Sequence, residues 1–267
     1  MSPVLEIKNL HQTFEQGTVN ENRVLRGVDL KLAAGDFVTI IGSNGAGKST
    51  LLNSIAGTLP IQEGQIILNG KDITKLSVTK RAKSISRVFQ DPKMGTAVRL
   101  SVEENLALAM KRGQHRTFRA GVKKQDRQFF KKQLAQLDLN LENRLKTEIG
   151  LLSGGQRQAI TLLMATLKRP DLILLDEHTA ALDPQTSIIV MQLTEKLISE
   201  QKLTAFMVTH NMEDAIHYGN RLIMLHQGRI ALNLAGEEKK KMTVPRLMAL
   251  FQKHVGTELK DDAVLLA

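Results

Sequence analysis

Cysteine and tryptophan are both absent from the 267 residues. Disulfides and thiolate metal sites are thereby excluded, and nothing is lost in a reducing compartment. Aromatic residues are scarce, with one Tyr and eight Phe, so the position of any single Phe carries information. No run reaches the ~18 apolar residues of a membrane-crossing helix, and a membrane role would have to come through a partner. The opening MSPVLEIKNL alternates like a strand and lacks the charged-then-apolar layout of a secretory signal. Internal repeats and low-complexity tracts are missing too. What is present is enough chain for one large domain or two small ones with a sizeable core.

The formal charge of +10 invites a nucleic-acid reading, but its location argues otherwise. Residues 111–132 hold nine Lys/Arg and one Asp, so +8 sits in 22 residues and the rest is nearly neutral. The stretch is expected to be a solvated hairpin face. Contact with anionic headgroups or an acidic partner loop is the next reading, and nucleic acid the last.

The most informative stretch is Gly42, Ser43, Asn44, Gly45, Ala46, Gly47, Lys48, Ser49 and Thr50, preceded by the apolar run Phe37 to Ile41. It fits G-x-x-x-x-G-K-[ST] in full, with a strand before it and the helical spacing of Leu51, Leu52 and Ile55 after it. Glycines let the turn curl its N–H groups around phosphate oxygens, and the helix aims its partly positive N-terminus at the same anion. Lys48 would reach the β- and γ-phosphates, and the Ser49 hydroxyl would ligate Mg²⁺. Nucleotide binding is the expectation.

Around this stretch, Val4–Lys8 and Val28–Leu32 alternate as antiparallel strands with one wet face. Residues 16–22 read as a loop, and Phe14 stands just before it. That Phe is either a stacking platform for a purine ring or is tucked under the loop. Further strands are expected at 65–69 and 86–89, with an Asn69-Gly70 turn between them. Ser101 with Glu104 reads as a capping box opening a helix, and a further helix is expected through Leu134 and Leu137 after the basic stretch. Leu151 to Gln156 breaks the helical pattern before a long helix over 157–168. Leu172 to Glu177 is an apolar run ending in two acids, a buried parallel strand delivering carboxylates at its C-terminal edge. A helix over 186–200 and a strand over 204–208 follow, and His210 stands where that strand ends. Strands at 221–225 and 229–232 flank a Gln227-Gly228 turn. The tail has the charge run EEKKK and then a short helix carrying Leu247, Leu250 and Phe251.

With the phosphate loop, Gln90, LSGGQ at 152–156, LILLDE at 172–177, ALD at 181–183 and His210 in this order, the chain resembles the ATP-binding subunit of an ABC transporter. The resemblance covers residues 4 to about 235. It implies an α/β fold of ABC ATPase type, a P-loop NTPase (RecA-like) core with an antiparallel β subdomain and an inserted α-helical subdomain. The expected division is an ABC ATPase domain over 1–235 and a short C-terminal helical tail over 236–267. Within the domain, 1–90 and 166–235 form the core and antiparallel part, and 91–165 the helical part with the signature.

Roles follow position by position from the resemblance. Asp176 orients Mg²⁺, and Glu177 is the general base or water-positioning carboxylate. His210 contacts the γ-phosphate. Gln90 touches the metal and the attacking water from a loop that senses the permease. Phe14 stacks on adenine. Ser153, Gly154, Gly155 and Gln156 bind the γ-phosphate of ATP held by a second copy of the chain, and Asp183 lies in the loop that lines the nucleotide. The implied protein is a Mg²⁺-dependent ATPase, peripheral on the cytoplasmic face of the membrane. It works as a dimer with permease subunits and indirectly with an extracytoplasmic solute-binding protein, and no nucleic-acid partner is implied.

FQDPKMGTA is importer-like. TEIG before the signature is similar to an exporter linker but lacks its further Glu-x-Gly. Import of a small solute such as an amino acid is therefore expected, with an exporter ATPase, a soluble ABC-type ATPase acting on nucleic acid or ribosomes, and a scaffold without turnover as rivals. His178 departs from the family's usual Pro after the Glu. It is either a neutral replacement or a residue that tunes the carboxylate or the approach of the neighbouring subunit.

Overall fold

The computed structural model describes residues 2–114 and 121–255. In chain order these form β1 (Leu5–Phe14), β2 (Asn22–Leu32), β3 (Phe37–Ile41), α1 (Lys48–Ala56), β4 (Glu63–Leu68), β5 (Lys71–Asp72), α2 (Val78–Arg81), β6 (Ile85–Val88), α3 (Val102–Met110) and α4 (Lys124–Ala135). After them come α5 (Gly154–Leu167), β7 (Leu172–Asp176), α6 (Pro184–Glu200), β8 (Ala205–Val208), α7 (Met212–His217), β9 (Arg221–His226), β10 (Arg229–Ala235), α8 (Gly236–Lys240) and α9 (Val244–Val255). Two compact units share this chain. One takes the residues up to Arg81 and again from Lys202; the other runs Ala82–Gln201.

In the first unit, β1 pairs antiparallel with β2 and β4, and β5 with β4. The alternation read from Leu5-Glu6-Ile7 holds, with Leu5 and Ile7 buried. The Asn69-Gly70 turn has both residues at positive φ, the geometry that matches a tight hairpin to the twist of its strands. β3 is buried along its whole length, as a strand flanked on both sides must be. It runs parallel to β8 and to β9, and β9 turns back antiparallel into β10. Leu247 and Phe251 of α9 close this core against Ile41, Met212, Leu222 and Met224.

The charge run at the start of the tail is itself helical, as α8. Its Lys239 is buried and donates to the carbonyls of Tyr218 and Gly219. Burial pulls its ammonium down to about 8, and the two carbonyls supply the partners that a buried cation needs.

In the second unit, β6 and β7 pair in parallel, with Val88 opposite Leu175. The capping box at α3 forms as expected: Glu104 N donates to Ser101 Oγ, and Ser101 N donates to the Glu104 carboxylate at 2.8 Å. The expected hairpin at 111–132 is corrected by α4, which covers 124–132. Lys123 N donates to the Asp126 carboxylate at 2.8 Å at the start of this helix, and Phe130 and Leu134 bury one face. Arg127 of α4 makes a two-pronged contact with Glu103 of α3, at 2.7 and 3.0 Å. Residues 115–120 of that stretch lie outside the described residues. α5 begins at Gly154 rather than 157, which puts both signature glycines in its first turn.

Candidate active site

In the first unit the phosphate loop leaves β3 at Gly42 and enters α1 at Lys48. Gly47, with φ +101, caps the helix. A Cβ there would sit 2.9 Å from Val24 O and from Leu25 Cδ2, so both the conformation and the space call for glycine. The Lys48 ammonium folds into the loop and donates to the carbonyls of Gly42 (2.6 Å) and Ser43 (3.1 Å). Ser49 follows in the first turn of α1 with its side chain exposed, and that turn holds no acid.

The parallel register places a second chemical group beside this loop. Ile40 pairs with Val208, and Thr209 N donates to Ile40 O. Gly42 and the exposed His210 therefore leave adjacent parallel strands at the same end, where α/β sheets put their ligands. Phe14 closes β1 opposite Asn22. Its ring is 38% exposed, so it is not tucked under the turn that follows.

The second unit holds the other candidates. β7 ends at Asp176 and the chain turns at once, with Glu177 at φ +43 and Ala180 N donating to Glu177 O. A left-handed Glu is costly unless its surroundings hold it. Because Val88 pairs with Leu175, Gln90 emerges from β6 next to the end of β7. Asp176 accepts a hydrogen bond from Arg87 at 2.6 Å, and the Arg87 guanidinium lies 4.7 Å from the Phe89 ring centre. Asp183 caps α6 through Thr186 N at 3.0 Å. The Thr186 side chain first, and then this backbone N–H, hold its carboxyl below the usual range.

The signature forms its own capping box, in which Gln156 N donates to Ser153 Oγ and Ser153 N to Gln156 Oε1. Arg157 secures the turn before it by donating to the carbonyls of Ile149, Gly150 and Leu152. Gly155 packs so tightly on α6 that a Cβ would lie 2.0 Å from Thr186 Cγ2.

His178, left open by the sequence, is enclosed. Its Nε2 lies 2.9 Å from Thr194 Oγ1. Thr194 spends its one proton on Val190 O at 2.8 Å, so it accepts from the ring and the proton sits on Nε2. Burial pushes the imidazole down to about 4, which leaves it neutral at physiological pH.

Two residues near these groups escaped the sequence reading. Arg87 had a signal, since a cation inside a buried strand needs a partner. Gln158 had none beyond standing two residues past the signature.

The first unit's loop suits a polyphosphate: an ammonium, a hydroxyl and a helix N-terminus converge there without a competing acid in the first helical turn. Among the described residues no group of three or more His, Cys, Asp or Glu gathers to hold a metal. The Ser49 hydroxyl in that loop is the kind of oxygen donor Mg²⁺ takes together with phosphates. The buried strand, the glycine turn and the helix that opens at Lys48 define a P-loop nucleotide-binding protein.

The comparisons narrow the class. The ABC transporter family model matches residues 25–180, and the chain belongs to that family. It is 42% identical over 249 residues to the tyrosine transport ATP-binding protein of Clostridioides difficile, covering 93% of this chain and 99% of that one. It is 33% identical over 233 residues to the phosphonates import ATP-binding protein of Lactobacillus johnsonii, covering 85% and 88% respectively. A solved dimeric ATP-binding cassette in a post-hydrolysis state with ADP and phosphate superposes with a TM-score of 0.73. It is 30% identical and matches 86% of this chain and 98% of its own. The chain is an ABC-type ATPase, with the cassette fold of those structures.

Proposed function

We propose that this chain is the ATP-hydrolysing subunit of an importer for an amino acid of tyrosine's class. In this reading two copies act head to tail against membrane-bound permease subunits, and an extracytoplasmic binding protein delivers the solute. The observation that carries the reading is the 42% identity spanning nearly the full length of both this chain and the tyrosine transport protein. A match over one shared motif would not support so specific a substrate.

The chemistry is phosphoryl transfer to water, which is catalysed mostly by positioning and charge stabilisation. Phe14 stacks on adenine. The N–H groups of Gly42 to Thr50, with Lys48, hold the phosphates. Mg²⁺, once bound, would neutralise charge between the β- and γ-phosphates, and Ser49, Asp176 and Gln90 are the residues that would hold it. Glu177 orients the attacking water and takes its proton as the new P–O bond forms. The bond from γ-phosphorus to the bridging oxygen breaks, giving ADP and phosphate, while His210 steadies the γ-phosphate oxygens. Ser153 to Gln156 of the partner copy cover the same phosphate, and Asp183 lines the nucleotide. The helical part, 91–165, docks the permease, which places the chain on the inner face of the membrane.

The test is reconstitution. The chain is purified with the permease that accompanies it, placed in proteoliposomes with Mg-ATP, and offered labelled tyrosine together with the cognate binding protein. ATP-dependent accumulation, competed by other aromatic amino acids, is expected. Accumulation of sulfonate or phosphonate instead would overturn the solute assignment.

A further inference from the structure

Gln158 lies in α5, two residues beyond the signature, and is fully buried. Its Nε2 donates to two main-chain carbonyls, Phe89 O at 3.1 Å and His178 O at 2.7 Å. Phe89 directly precedes Gln90, and His178 directly follows Glu177. A Gln amide has two N–H donors, so both bonds can be made at once. Its Oε1 is buried without a hydrogen bond among the described residues. The site therefore uses this side chain for donation, and accepts the cost of an unpaired oxygen for it.

The carbonyl held by Gln158 belongs to His178, the residue directly after Glu177, whose backbone sits at φ +43. On one side Glu177 is fixed by β7, locked in register with β6. On the other it is followed by His178, whose carbonyl is held by Gln158 and whose ring is held by Thr194 of α6. A strained residue persists only where its neighbours over-determine it. Here three elements do so.

We propose that Gln158 is a positioning residue for Glu177: its amide ties the signature helix to the His178 carbonyl, one residue past Glu177, and to the Phe89 carbonyl just before Gln90, with the His178–Thr194 contact as the second anchor. The inference rests on the reading of Glu177 as the water-activating carboxylate. Gln158 is fully buried, and acts by keeping that carboxylate where the reaction needs it. Small misplacements of a catalytic group can cost on the order of 10²-fold in rate.

The test uses Gln158→Met, which keeps the shape and removes both donors, in steady-state ATPase assays alongside fluorescent-nucleotide binding. We expect kcat to fall by about 10-fold or more, with KM and nucleotide affinity changed by less than about 3-fold. In a Glu177→Gln background the same change should leave the residual turnover as it is and the ATP-dependent dimer intact, because the group it positions is already gone. Near-wild-type kcat, a multiplicative further loss in the double variant, or a loss of nucleotide affinity parallel to kcat would each overturn the inference. Should Gln158→Met not fold, Thr194→Val removes the other anchor. It is expected to lower kcat at constant KM, and unchanged kcat there would count against the proposal. Glu177→Gln alone turning over at the wild-type rate would defeat the base assignment itself. An inactive Glu177→Gln beside a fully active Gln158→Met would defeat only the positioning role.

Discussion

The enclosed His178 makes stability depend on pH in a calculable way. In the unfolded chain its imidazole takes a proton near 6.5, whereas in the folded protein it resists protonation down to about 4. Between those values the unfolded state binds more protons, so acid favours unfolding. The contribution is fully present above 6.5, falls as pH drops, and is exhausted near 4. At 1.36 kcal/mol per pH unit the whole effect is about 3 kcal/mol, of which about 2 kcal/mol is lost by pH 5. Equilibrium urea unfolding at pH 7.5 and pH 5.0 measures it, in wild type and in His178→Gln. The surface carboxylates titrate alike in both proteins, so the difference between their pH responses isolates the imidazole. Wild type should lose about 2 kcal/mol more than the variant over that interval. Equal slopes, or an imidazole resonance titrating near 6.5 in the folded protein, would refute the enclosure.

Three further outcomes follow from the site. Glu177→Gln should bind Mg-ATP, hydrolyse it on the order of 10²–10⁴-fold more slowly, and elute as a dimer on gel filtration with Mg-ATP; a monomer there counts against the shared site. Lys48→Ala should lose nucleotide affinity by calorimetric titration, and unchanged affinity would remove the phosphate-loop assignment. Gly155→Ala should lower the melting temperature, since its Cβ would lie 2.0 Å from Thr186 Cγ2; adding Thr186→Ser removes that methyl and should restore much of the loss.

Much of this was legible because local chemistry and tertiary context agree. Gly42 to Ser49 spells its turn, Ser101 and Glu104 spell their cap, and the run from Leu172 to Leu175 has no polar face to misassign. The misreadings arose where local appearance competes with packing. Nine cations hide the burial of Phe130, and α4 starts at Lys124, well ahead of the helix read through Leu134 and Leu137. Glycines at 154 and 155 look like loop, yet they open α5 because α6 leaves no room for a side chain at 155. In the charge run EEKKK, only packing shows that Lys239 turns inward to two carbonyls. Gln158 and His178 carry no signal of their burial at all. A Gln on a helix and a His after a strand are ordinary surface residues until carbonyls from β6 and the Glu177 turn, and a hydroxyl from α6, are placed around them.

The chain order of the strands bears on how the protein is made. β3 needs β8 and β9 as its parallel neighbours, but they are translated more than 160 residues later. At ~5–20 residues per second the phosphate-loop strand waits roughly 8–30 s on the ribosome before either flank exists. The unit Ala82–Gln201 is contiguous and is translated in full during that interval. A nascent chain stalled after Gln201 would carry an apolar Phe37–Ile41 with neither parallel partner yet made, the stage at which a chaperone has most to protect.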